Sequence, residues 1–222
     1  LGPQDGYGSI DALRYCLWLT IIDVAAHIPY TDPGQSLLIQ ILETLDLTSG
    51  WEGLPGLGQQ MREDWNHDPT FNRVWGSPHP HDYTLDQWIN VSSFAARVQS
   101  ASLVTWINFA VWQLRAALEE NWVVAENADT KVAVACEWIV HSGQRILQLC
   151  LQEREMGETA LRSEGPGILF AGLPGTNLER WGFWTRRLKE LRGQVCEAVH
   201  MSVDQALEAI RSAEAKLSGP AI

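Results

Sequence analysis

Residues 84–122 read TLDQWINVSSFAARVQSASLVTWINFAVWQLRAALEENW, and this stretch decides the fold. It contains the same word twice, Trp88-Ile89-Asn90 and Trp106-Ile107-Asn108, each followed by small and apolar residues up to an arginine, Arg97 and Arg115. Thr84 supplies an N-cap for the first helix, and Ser100-Ala101-Ser102 marks a bend. The second helix is predicted from about Leu103 to Trp122. Neither helix has a wide polar face, so neighbours must cover both on most sides. The expected fold is all-α, a single irregular bundle of about seven or eight helices around this central hairpin. The domain is 1–222, with its core at about 9–217. Arg97 and Glu119 are charges in mostly apolar helices. Burying either alone would cost several kcal/mol, so the hairpin is expected to pair them.

Working outward, Ser9 is the expected N-cap of a helix that Pro29 ends after about Ile28. That helix is apolar nearly all round and is expected to be buried. Its polar stripe is Cys16, Thr20, Asp23 and His27. Asp23 and His27, four apart, form either a general base facing a cavity or a satisfied polar pair at a helix end. A second helix is expected from Asp32 to Leu47, and a short one from Gln59 to Trp65. The irregular crossing 66–83 follows. A long helix should run from Asp129 to about Arg154, with Glu137, His141 and Arg145 as a solvated ladder on its outer side. Residues 157–176 break the helical pattern, and the tongue 165–175, with Ile168-Leu169-Phe170, is expected to be a lid. A last helical region covers Asn177 to Leu217, broken near Gly193.

Composition narrows the function. The 222 residues are 45% hydrophobic and 19% charged, with a net charge of −11. Such acidity argues against nucleic acid and against anionic membrane surfaces as partners. The longest apolar run, Ile10 to Ile28, carries Asp11, Arg14, Asp23 and His27, too many charges for a membrane span. Cys16, Cys136, Cys150 and Cys196 fall at apolar helical positions and are expected to be core thiols in a reducing compartment, the cytoplasm. The chain begins at Leu1 rather than Met, so the true N-terminus, and any targeting signal with it, is expected to be missing from this sequence. Eleven tryptophans are roughly four times an ordinary domain's share, enough to pack a core and also to line a ligand cavity.

Familiar catalytic motifs are missing. There is no GxxxxGK[ST], GxGxxG, GxSxG or HExxH, which removes P-loop, Rossmann and α/β-hydrolase chemistry. His67, Asp68, His79, His81 and Asp82 gather potential ligands in the proline-rich crossing, but without a second cluster at fixed spacing. A helical di-iron oxygenase is a further alternative, resting on Glu197-Ala198-Val199-His200 and a poorer Asp64-x-x-His67. No metal and no cofactor are expected.

The ordered set Trp88-Ile89-Asn90, Phe94-Ala95-Ala96-Arg97, Phe109-Ala110-x-Trp112, Leu114-Arg115-x-Ala117-Leu118-Glu119 and Arg180-Trp181-x-Phe183-Trp184 resembles the fungal family named domain of unknown function 3632, over about residues 10–205. The resemblance implies a fungal, intracellular, all-helical domain in which no catalytic residues are established. It implies that Arg97, Glu119, Arg180, Trp181 and Trp184 belong to the family pattern. Relatives near biosynthetic genes for fungal metabolites would tilt the function towards small molecules, by association rather than mechanism.

Two function classes follow. In the first, a Trp-rich cavity encloses a small apolar metabolite; if the protein is an enzyme, it is a cofactor-independent cyclase or isomerase of secondary metabolism. Asp23 and His27 would transfer protons and Arg97 would donate a hydrogen bond. Trp88, Trp106, Trp112, Asn90, Asn108, Phe170, Trp181 and Trp184 would contact the ligand. In the second, the tryptophans are plain core and the chain is an interaction or scaffold module. An enclosed hollow favours the first, and a filled core with an exposed apolar patch favours the second.

Overall fold

A computed structural model describes residues 10–70, 82–121, 127–152 and 157–218. These form nine helices and one 3-10 turn, with no strand among the described residues. The helices are α1 (Ile10–His27), α2 (Gly34–Asp46), α3 (Leu57–Asp64), α4 (Leu85–Ser100), α5 (Ile107–Leu118), α6 (Ala128–Cys150), α7 (Glu158–Ser163), α8 (Leu178–Leu191) and α9 (Glu197–Ser218). The turn Trp65–His67 continues α3. The all-α bundle expected from the sequence is therefore the fold. Ser9, His79, His81 and Trp122 lie outside the described residues.

Both Trp-led helices are deeply buried, yet the helix at the centre is α6, on which α4, α5, α8 and α9 all pack. α4 begins with a capping box: the Gln87 N–H donates to the Thr84 hydroxyl, and the Thr84 N–H donates to the Gln87 side chain. α5 is shorter than expected at both ends. Ser102 takes a left-handed φ of 60°, and the Trp106 N–H donates to the Gln99 side-chain carbonyl instead of entering a helix. At the other end Glu119 leaves the helix so that its carboxylate turns inward.

Packing on several sides of α6 overturns the solvated ladder. Glu137 is buried, accepts a hydrogen bond from Ser93 on α4 at 2.7 Å, and lies 3.2 Å from His141. The expected Arg97–Glu119 pair does not form either. Arg97 donates to the Tyr30 carbonyl at 3.1 Å and to the Ser36 hydroxyl at 3.3 Å, tying α4 to the α1–α2 turn. Glu119 instead pairs with Arg180 of α8 at 2.6 Å, with no exposed surface on either side chain.

α1 is not sheathed all round. Trp18, Ile21, Ile22, Ala25 and Ala26 are buried, while Ile10, Leu13 and Val24 lie on an exposed face. Its C-terminal carbonyls are capped from other helices. Asn90 donates to the Ala26 carbonyl, and Gln35 donates to those of Ala25 and Ile28. The four cysteines are free but not alike: Cys136 and Cys150 are buried, whereas Cys16 and Cys196 are exposed. Among the described residues no helix is long and apolar enough to cross a membrane.

The segment between α7 and α8 is not a loose lid. All five N–H donors of the Arg180 guanidinium are used: two go to Glu119 and three to the carbonyls of Glu164, Gly165 and Gly175. The Gly167 N–H donates to the same carboxylate at 2.7 Å. A Cβ at Gly167 would sit 2.6 Å from that of Glu119, so only glycine lets the strap come this close.

Candidate functional site

Tryptophans from four elements meet inside the bundle. Trp65 stacks on Phe109 with ring centroids 4.4 Å apart, and meets Trp88 at 4.8 Å and Trp138 at 6.3 Å edge-on. Trp106 approaches Phe109 in a tilted arrangement at 5.8 Å. These rings form one buried aromatic cluster that takes in both Trp88 and Trp106. Among the described residues the indole N–H groups of Trp65, Trp88 and Trp138 have no hydrogen-bond acceptor, a cost of about 1–3 kcal/mol each when buried.

Open space lies at the rim of this cluster. A cleft of about 470 Å³ is lined by Trp65 and Trp112, with Arg62, Asp68, Gln113 and Arg115 at its polar edge. Each wall is held from behind. Trp112 donates its indole N–H to the Ser163 carbonyl at 2.7 Å, and Arg115 donates to the Gly165 carbonyl at 3.2 Å. The Arg180-bound strap thus fixes two residues of the cleft.

Asp68 is the chemical centre of this edge. It opens an Asx turn over Pro69, accepting from both the N–H and the hydroxyl of Thr70 at 2.7 Å. Burial pushes its carboxyl above the usual range, opposed by the Thr70 bonds, by Gln113 and by the charge of Lys131. The result is a carboxyl that holds its proton more tightly than an exposed aspartate, beside two indole faces. Tyr83 is also pushed up by burial, and donates its hydroxyl to Asp64 at 2.9 Å.

The residues expected to form a site are dispersed. Asp23 and His27 are both exposed, so they do not face an enclosed cavity. The His27 Nδ1 lies 2.8 Å from the Asp23 carbonyl and its Nε2 lies 3.1 Å from the Gln87 amide nitrogen. The ring therefore donates from Nδ1 and accepts at Nε2, as a link between α1 and α4. Arg97 lines a separate groove with His141 and Ser100. Asn90 is spent on the end of α1, and Asn108 is half-buried on α5 away from the cleft. Phe170 packs on Phe183 and beneath Arg180. Trp181 donates to Glu214 and Trp184 donates to Glu119. Of the expected ligand contacts, Trp112 alone lines the cleft.

Sequence reading missed Trp65, Arg62, Gln113 and the role of Asp68. The sequence does hold one signal, Asp68-Pro69-Thr70 three residues after a tryptophan, which is an Asx-turn pattern at a helix end. His67 lies 3.4 Å from Asp82. No group of three or more metal-ligating side chains occurs among the described residues.

No match to the chain was found among curated proteins or among solved structures. A family model does match, over residues 18–188, from the middle of α1 through most of α8, including the Trp cluster, the cleft and the Arg180 anchor. The chain belongs to the family described as protein of unknown function, DUF3632.

Proposed function

We propose that this chain binds a small, planar, largely apolar molecule with one polar edge, held between Trp65 and Trp112. The observation that carries the reading is the cleft itself: about 470 Å³, within the range of ordinary small-molecule sites, with apolar walls and a few convergent polar groups. Indole faces supply area, and Arg62, Arg115 and Gln113 offer donors to the polar edge. Asp68 adds a carboxyl whose proton affinity is raised by burial. A proton donor beside an aromatic wall is what cofactor-independent isomerisation or cyclisation of such a ligand requires. In this reading Asp68 takes the proton-transfer role first expected of Asp23 and His27.

Titration calorimetry with 2-naphthoate as probe tests the binding step. Saturable one-to-one binding is expected, and heats no larger than dilution would reject it.

A second reading, an interaction module, is favoured by one observation. Ile10, Leu13, Leu17, Thr20 and Val24 follow a 3-4-3-4 spacing along α1, and Ile10, Leu13 and Val24 are 50%, 58% and 39% exposed. Sedimentation analysis distinguishes the two: a monomer unchanged by Leu13→Glu argues against this second reading as a self-association site.

A further inference from the structure

We infer that the groove between α6 and α9, at the C-terminal end of α4, is a binding site for a phosphate group. The groove holds about 350 Å³, enough for a phosphate ester of modest size, and is lined by His141 and Arg145 of α6, Lys216 and Ser212 of α9, and Ser100 and Ser102. No carboxylate lines it.

In a chain with a net charge of −11, such a groove must be built by turning acids away, and the structure shows where each goes. Glu137 of α6 is buried behind the groove, where it accepts from Ser93 of α4 and lies 3.2 Å from His141. On α9, Glu208 is paired with Arg211, and Glu214 accepts from the Trp181 indole. Glu43 of α2 lies in the adjoining groove, which shares Ser100 and His141 with this one. What remains is a concave surface with Arg145, Lys216 and hydroxyl groups in its lining and no carboxylate among the residues that line it.

Arg145 points most clearly to a ligand. It is half-buried, and no hydrogen bond or ion pair engages its guanidinium among the described residues. Other half-buried arginines are engaged: Arg97 by Tyr30, Arg115 by Gly165 and Arg187 by Glu190. The planar fork of Arg145, which lines the groove without a partner among the described residues, matches two oxygens of a phosphate. Lys216 is held at the groove by a 2.8 Å bond to Gln144. The donors come from α6, from α9 and from the end of α4, three directions that suit a tetrahedral anion better than a flat carboxylate.

Thermal unfolding in inorganic phosphate, against chloride at matched ionic strength, tests the site. The parent chain should gain a saturable rise in Tm with phosphate. Arg145→Ala should weaken the apparent phosphate affinity by at least about tenfold, the usual cost of losing a charged hydrogen-bond donor. Lys216→Ala, an exposed change that leaves folding intact, should weaken it in the same direction. Arg211→Ala, on α9 but outside the groove, should respond like the parent. No rise beyond chloride in the parent, or an equal rise in Lys216→Ala and Arg145→Ala, overturns the proposal.

Discussion

The Glu119 carboxylate and the Arg180 guanidinium face each other two-pronged, Nε to Oε1 at 2.6 Å and Nη2 to Oε2 at 3.0 Å, with neither side chain exposed. The pair joins α5 to α8, carries the Trp184 indole, and holds the strap whose carbonyls position Trp112 and Arg115. Its value is in what it fixes as much as in its own free energy.

Breaking one half of this pair should be severe. Arg180→Met leaves the buried Glu119 carboxylate without its counter-charge and removes three further bonds to the strap carbonyls, and should cost about 3–5 kcal/mol. Replacing both members, with Glu119→Leu added, should recover part of that loss. Urea unfolding of the single and double variants measures it, and a single variant within error of the parent would contradict the anchor.

Thiol chemistry should divide the cysteines two and two. Cys16 and Cys196 are exposed. Burial pushes the Cys136 and Cys150 thiols up, the latter to about 12, so the reactive thiolate is scarce as well as covered. Two equivalents of a thiol reagent should react in the native chain and four in denaturant. Mass mapping of the labelled peptides identifies which.

Asp68 gives a stability change with a definite sign. Its folded-state proton affinity is raised above the ordinary carboxyl value of 3.8. The folded state therefore holds the proton more tightly than the unfolded chain, and the associated stability is lost as pH rises from 3.8 through the raised value. Asp68→Asn removes that loss. The variant should melt higher than the parent at neutral pH, with the advantage shrinking as pH falls towards 3.8. A constant difference across the range would show that this carboxyl does not titrate as described.

Much of the fold was legible because helix periodicity and caps are local. The Thr84 cap, the Pro29 stop and the break near Gly193 are written in adjacent residues. Long-range partners were not legible. Glu119 meets Arg180, 61 positions away, rather than Arg97, because the α7–α8 strap folds back over the end of α5. Glu137 looked like part of a solvated ladder because its spacing to His141 and Arg145 is that of an outer face, while α4 in fact covers it. The cleft was missed for a related reason. Trp65 and Asp68 lie in an irregular segment where no periodicity marks a face, and they meet Trp112 and Gln113 only through tertiary packing. Trp88 and Trp106 are buried, as their apolar helices require, but large rings fill a core as readily as they wall a hollow, and the open cleft lies at Trp65 and Trp112.

The central claim is that the rim of the aromatic cluster, at Trp65 and Trp112, binds a planar ligand. The most direct measurement is calorimetric titration of 2-naphthoate into the parent, Trp112→Leu and Arg62→Ala. Trp112→Leu keeps an apolar side chain while removing the flat wall, and Arg62→Ala alters an exposed residue at the polar edge. The account predicts saturable binding to the parent, at least about tenfold weaker in Trp112→Leu and weaker in Arg62→Ala. Absence of saturable binding to the parent, or equal affinity in all three proteins, would contradict it.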